Sequence, residues 1–207
     1  CASGGRRLDL ETLRRSVPLV RSDNLFEPTG QQCHSYGLAS WIPYTGTGTL
    51  IGKSAIGQNT SEKLDSYDFR SHMASSVTAC WDMRRKDLDY NELRRFTSQL
   101  REAAPYFVLG DFYPLTPYSL KGDVWIAWQY NRPNEGTGIV QAFRREGNTE
   151  TKQSFQLQGL DPAAKYELTV ADNTGTPVVA KAELMGSNLT IEMPKPRSAA
   201  LVFYRKK

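Results

Sequence analysis

The residues in this chain best suited to chemistry cluster near its start. Asp23 stands in the run Arg21-Ser22-Asp23-Asn24, and a glycine-rich run, Cys1-Ala2-Ser3-Gly4-Gly5-Arg6-Arg7-Leu8-Asp9, precedes it. A carboxyl group at a strand tip can pass a proton in a bond-breaking step when its pKa lies near the working pH. The same run also suits a turn, because a short acidic side chain readily bonds nearby backbone. Gly4 and Gly5 carry no Cβ, so their backbone can approach a ligand closely. Arg7 either donates hydrogen bonds to such a ligand or pairs with Asp9 in a structural turn. Trp41 and Tyr44 flank Pro43 and either stack on a flat ligand face or pack the loop. His34 either bonds a ligand hydroxyl or is structural. Asp82, directly after Trp81, is a further carboxylate in the chain. The three cysteines, Cys1, Cys33 and Cys80, have no metal-like spacing and form no disulfide framework, and two histidines offer little for a transition-metal site.

These groups need elements to hold them. Asp9 reads as the N-cap of a short helix with Leu10, Leu13 and Val17 on one face, ended by Pro18. Leu19-Val20 is then extended and delivers Ser22-Asp23 at a strand end. Further on, Gln32 to Gly37 leads into Leu38-Ala39-Ser40-Trp41-Ile42, where Pro43 halts regular structure. Thr45-Gly46-Thr47-Gly48 reads as a flexible loop, and residues 50–66 as polar loop. Tyr67 to Met73 is a short helical candidate, and Val77 to Trp81 a short buried strand. Asp87 or Asp89 starts the strongest helix, with Tyr90, Leu93, Phe96, Leu100 and Ala103 at three- and four-residue spacing and Pro105 ending it.

Near residue 110 the texture changes to a period of two. Val124, Ile126 and Trp128 alternate against Trp125, Ala127 and Gln129. Phe155 and Leu157, then Tyr166, Leu168 and Val170, then Leu189, Ile191 and Met193, then Leu201 and Phe203 mark further strands. Between them stand turn signals such as Arg132-Pro133-Asn134-Glu135-Gly136, Glu146-Gly147-Asn148 and Asp172-Asn173-Thr174-Gly175. Short strands at this spacing predict an antiparallel β-sandwich.

The ordered set of motifs resembles the C-terminal part of the α-galactosidases of glycoside hydrolase family 36 and their melibiase-like relatives in clan D. The carrying residues are Cys1, Gly4, Gly5, Arg7 and Asp9 in the loop, then Ser22-Asp23. Gly110 to Leu115 resembles that family's junction between catalytic barrel and C-terminal β-domain, and 125–130 and 139–145 resemble the first strands of that domain. The resemblance implies a fold of α/β plus all-β type. Residues 1–109 would be the last strand–helix units of a (β/α)8 barrel, and 110–207 an antiparallel β-sandwich. It implies a retaining glycosidase acting on terminal α-linked galactose in oligosaccharides, without metal or cofactor. Asp23 is then the catalytic acid/base at the end of the sixth barrel strand. Cys1, Gly4, Gly5 and Arg7 line the subsite for the galactosyl unit, with Trp41 as a further substrate-binding residue. The nucleophile falls on an earlier strand, so this chain reads as an inactive fragment of an enzyme that forms a homo-oligomer when intact. Ser3 where the family has a third glycine, and Asn24-Leu25-Phe26-Glu27 where it has a longer acidic run, bear on sugar specificity.

Composition sets the bounds. The chain has 207 residues, 39% hydrophobic and 23% charged, which is ordinary for a globular protein. Its net charge of +4 is mild, and acids accompany most of the basic pairs, so the pattern reads as solvated faces without a nucleic-acid stripe. No apolar run is long enough to span a bilayer, and no charged segment followed by an apolar one opens the chain. Compartment stays open between cytoplasmic and secreted or periplasmic. A rival from another class is a non-catalytic carbohydrate-binding or structural β-sandwich with a lipid on Cys1. In that reading Trp125, Trp128, Tyr113 and Tyr118 would supply an aromatic platform, although alternation puts Trp125 and Trp128 on opposite faces.

Overall fold

The computed structural model describes residues 9–15, 27–42, 44–49, 65–80, 82, 84–171, 179–180 and 183–207. The chain divides into two compact units, Cys1–Val108 and Leu109–Lys207.

The first unit is mixed helix and strand. Its helix α1 (Leu10–Arg15) starts as the sequence predicts: the Asp9 carboxylate accepts from the Thr12 N–H at 2.8 Å, which holds its carboxyl below the usual range. The anticipated apolar face does not form within the described residues, because α1 buries no residue. Helix α2 (Pro28–Ala39) opens with proline in its first turn, where the missing N–H costs nothing. It buries the run Gly30, Gln31, Gln32 and Cys33. Such burial gives no apolar stripe, and hydrophobic periodicity misses the helix.

Strand β1 (Gly46–Thr49) corrects the flexible-loop expectation. It is buried along its length and pairs in parallel with β2 (Ser76–Ala79), with Gly46 opposite Ser76 and Gly48 opposite Thr78. Pairing and burial override the flexibility of glycine, as tertiary context commonly does for strand propensity. Helix α3 (Ser66–Ser71) lies between them in sequence, with its first turn capped by the Asp65 carboxylate on the Asp68 N–H at 2.7 Å. The β2 strand is a second correction: it forms where expected, yet Thr78 and Ala79 are exposed instead of buried.

Helix α4 (Tyr90–Leu109) begins at Asp89, whose carboxylate caps the Asn91 and Glu92 N–H groups at 3.0 Å. Contrary to expectation, it runs through Pro105. The proline removes one N–H donor to the Arg101 carbonyl. Pro105 faces solvent, which can satisfy that carbonyl, while Ala103 and Phe107 are buried on either side and hold the helix in line. Phe96 stacks on Phe69 of α3 with ring centroids 5.2 Å apart.

The second unit is built from antiparallel strands. In chain order they are β3 (Asp111–Pro114), β4 (Trp125–Arg132), β5 (Thr137–Arg144), β6 (Lys152–Gln156), β7 (Lys165–Val170), β8 (Val179–Ala180), β9 (Glu183–Met185), β10 (Asn188–Glu192) and β11 (Ser198–Lys206). Six of them form one sheet in the order β3-β4-β5-β11-β7-β9, and three form a second in the order β6-β10-β8. One apolar cluster joins the sheets. The larger supplies Trp125, Ala127, Val140, Ala142, Ala200 and Val202, and the smaller Phe155, Leu189 and Ile191. The β4–β5 hairpin turns at Gly136, whose φ of +63° is a left-handed conformation that glycine adopts freely.

The two tryptophans of β4 point to opposite faces and both are buried. Trp125 joins the cluster and donates its indole N–H to the Glu150 carbonyl at 2.9 Å. Trp128 donates to Gln141 Oε1 at 2.7 Å and packs on Phe143 at 5.3 Å. Neither is part of a surface aromatic platform.

Candidate active site

In α/β proteins with parallel strands, substrates meet the C-terminal ends of those strands. In the first unit those ends are Thr49 of β1 and Ala79 of β2, and the Cys80 N–H joins them by donating to the Thr49 carbonyl at 2.9 Å. At the opposite end, the Thr45 N–H donates to Ser75 Oγ at 3.0 Å, and that hydroxyl donates back to the Thr45 carbonyl at 2.9 Å. The short parallel pair is thus pinned at both ends.

A buried polar framework holds the surrounding helices. Thr47 Oγ1 donates to Gln31 Oε1 of α2 at 2.7 Å, and Gln32 Nε2 donates to Ser71 Oγ of α3 at 2.9 Å. Adjacent glutamines therefore tie α2 to β1 and to α3. Arg70 on α3 donates twice to Gln99 Oε1 on α4, at 3.0 and 3.3 Å. His72 Nδ1 lies 2.6 Å from the Asp68 carbonyl. A carbonyl only accepts, so Nδ1 carries the proton. Buried polar groups need such partners, and satisfied networks of this kind rigidify the elements that they join.

Past β2, the chain carries Cys80, Asp82, Arg84, Arg85 and Asp87. Burial pushes the Cys80 thiol up, so it stays protonated and unsuited to nucleophilic attack. Asp82 accepts from the Arg84 Nε at 3.0 Å and from Nη2 at 2.9 Å, and its Oδ1 also takes the Arg84 backbone N–H at 2.9 Å. These bonds hold its carboxyl below the usual carboxylate range. Arg85 pairs with Asp87 at 2.5 Å, and the Tyr90 hydroxyl donates to the Arg85 carbonyl at 2.8 Å.

Of the residues that the sequence assigns to the site, Asp23, Cys1, Gly4, Gly5 and Arg7 lie outside the described residues. Trp41 is described and is 57% exposed. It sits on the connection from α2 into β1. His34 is half-buried within α2. Sequence reasoning missed the Asp82–Arg84 fork, for which the only signal is an acid and a base two positions apart directly after a strand. Among the described residues no three His, Cys, Asp or Glu side chains gather as a metal would require, and no helix is long and apolar enough to cross a membrane.

No family model and no curated protein matches the chain by sequence. Comparison of folds does find a class: the chain has the fold of a part of α-galactosidases of glycoside hydrolase family 36. A variant of AgaA from Geobacillus stearothermophilus, in complex with stachyose, matches 90% of this chain with a TM-score of 0.64 and 14% identity. The galactosidase domain of the α-galactosidase–sucrose kinase AgaSK matches 92% with a TM-score of 0.64 and 14% identity. The α-galactosidase of Lactobacillus brevis matches 90% with a TM-score of 0.63 and 12% identity. The chain spans only 25–26% of the length of these three proteins.

Proposed function

We propose that this chain is part of a retaining α-galactosidase, contributing the last strand–helix units of its (β/α)8 barrel and the β-sandwich that follows. The observation that carries this reading is a fold likeness to such enzymes over 90% of the chain. It joins a sequence in which the loop, the Ser-Asp pair and the barrel–sandwich junction fall in the family's order. Residues 1–109 are assigned to the barrel and 110–207 to the sandwich.

In this reading Asp23 protonates the glycosidic oxygen as its bond to the anomeric carbon breaks. A carboxylate upstream of this chain, about 5 Å away across the bond, attacks that carbon and forms a covalent glycosyl ester. Asp23, now ionised, takes a proton from water as the water cleaves the ester, and so returns to its acid form. The backbone of Gly4 and Gly5, with Cys1 and Arg7, holds the terminal galactosyl unit. Trp41, exposed on the connection from α2 into β1, is a further substrate-binding residue in this reading. The substrate is an oligosaccharide, no metal or cofactor takes part, and the intact enzyme is a homo-oligomer.

The test is hydrolysis of an aryl α-galactoside by this chain, by a version extended upstream, and by the extended version carrying Asp23→Asn. Turnover in the extended form alone, lost on Asp23→Asn, supports the reading. An inactive extended form overturns it. The rival reading as a carbohydrate-binding module loses support from the burial of Trp125 and Trp128.

A further inference from the structure

Resting on the α-galactosidase reading, we propose that Asp82 and Arg84 form a binding fork for the leaving-group saccharide, outside the galactosyl subsite. Polarity is the first reason. The strands β1 and β2 are parallel, and Cys80 links their C-terminal ends. The segment that begins at Asp82 therefore leaves from the edge where parallel-strand enzymes meet their substrates.

Order is the second. Three donors of Arg84 fix the Asp82 carboxylate, and the Arg85 N–H donates to the Asp82 carbonyl at 3.1 Å. The far end of the segment is tied by the Tyr90 hydroxyl on the Arg85 carbonyl and by the Asp89 cap of α4. A fork held in one geometry before the ligand arrives loses less freedom on binding.

Availability is the third. Gln31, Gln32, Thr47, Arg70 and Gln99 inside the unit are bonded to one another or to neighbours, whereas the Arg84 and Asp82 side chains are 91% and 47% exposed. An ion pair this exposed contributes little to stability, so holding the fold together does not explain the fork. Its chemistry suits a neutral polyol. A sugar hydroxyl donates to Asp82, and the neighbouring hydroxyl oxygen accepts from the guanidinium of Arg84. The pair carries no net charge, so it favours neither an anion nor a cation. A saccharide leaving group offers such vicinal hydroxyls, and an aryl leaving group offers none.

The measurement is the ratio of kcat/KM for raffinose to that for an aryl α-galactoside, in the enzyme extended upstream. Parent, Asp82→Asn, Arg84→Gln and Arg205→Gln are compared, the last removing an exposed arginine of the second unit. The ratio is expected to fall about tenfold in the first two variants, as for loss of a charge-assisted hydrogen bond, through a higher KM for raffinose. In Arg205→Gln it is expected to hold. Ratios in Asp82→Asn and Arg84→Gln within about twofold of an active parent overturn the fork alone, as does an equal fall in Arg205→Gln. A parent inactive on both substrates overturns the α-galactosidase reading, and the fork with it.

Discussion

Gly138→Ala is expected to be among the most damaging single-methyl additions to the second unit. Gly138 faces Tyr204 directly across the β5–β11 ladder. A Cβ at Gly138 would sit 2.0 Å from the Tyr204 hydroxyl oxygen, 2.1 Å from its Cζ and 2.6 Å from the Tyr130 carbonyl oxygen. The ring must therefore swing away, yet it is fully buried. Its hydroxyl accepts from Gln129 Nε2 and donates to Asn131 Oδ1, both at 2.7 Å. Overpacking costs about 1–3 kcal/mol, and each buried hydrogen bond lost adds about 1 kcal/mol, so the total is about 3–5 kcal/mol. Urea unfolding followed by near-UV circular dichroism reads the loss as a lower midpoint. In a Tyr204→Ala background the clash with the ring is gone while that with the Tyr130 carbonyl remains, so the two changes should couple by about 1 kcal/mol or more. A loss below about 1 kcal/mol, or strict additivity of the pair, would refute the steric argument.

Two further outcomes follow from local chemistry. Lys206 lies 2.9 Å from Asp161 and, with the Ala163 N–H, holds its carboxyl below the usual value. That contribution to stability is complete above the unfolded value of about 3.9 and fades as pH falls through the lowered one. Between neutral pH and pH 2, roughly, the parent should therefore lose Tm more steeply than Asp161→Asn, and parallel curves would contradict this. Pro105→Ala should restore the missing donor inside α4 and stabilise the helix by up to about 3 kcal/mol, read as a higher Tm. A lower Tm would show that the proline is needed where it stands.

Much of the second unit was legible because its strands alternate apolar and polar residues over turns rich in Gly, Asn and Asp. The alternation correctly sent Trp125 and Trp128 to opposite faces. It could not show that both faces of β4 are buried, since a strand covered on both sides and one covered on one side can share the same pattern. Helix α4 was legible from Leu93, Phe96, Leu100 and Ala103, and its start from Asp89. Its end was not, because the rule that proline stops a helix weighs the lost donor but not the anchoring of Ala103 and Phe107. Strand β1 and helix α2 were illegible for a related reason. Gly-Thr-Gly-Thr and Gly30-Gln31-Gln32 are buried through hydrogen bonds to distant residues, so their local sequences carry no apolar period. At the candidate site, Asp23 and the glycine loop rest on the order of motifs alone. The Asp82–Arg84 fork emerges only once the direction of β2 is known.

The order of the larger sheet bears on how this unit assembles in time. Strand β11 is the last in chain order, yet it lies between β5 and β7 in the middle of the sheet. The strands β3, β4 and β5 can form a meander as soon as they exist, because each pairs with its sequence neighbour. The β5 edge then waits, with Ile139, Val140 and Phe143 beside it, for a partner some sixty positions downstream. Closing so long a loop is slow, and an open apolar edge is a template for pairing with another chain. Synthesis thus delivers the keystone of the sheet after every strand that depends on it. The interval before β11 inserts is when this unit is most exposed to aggregation.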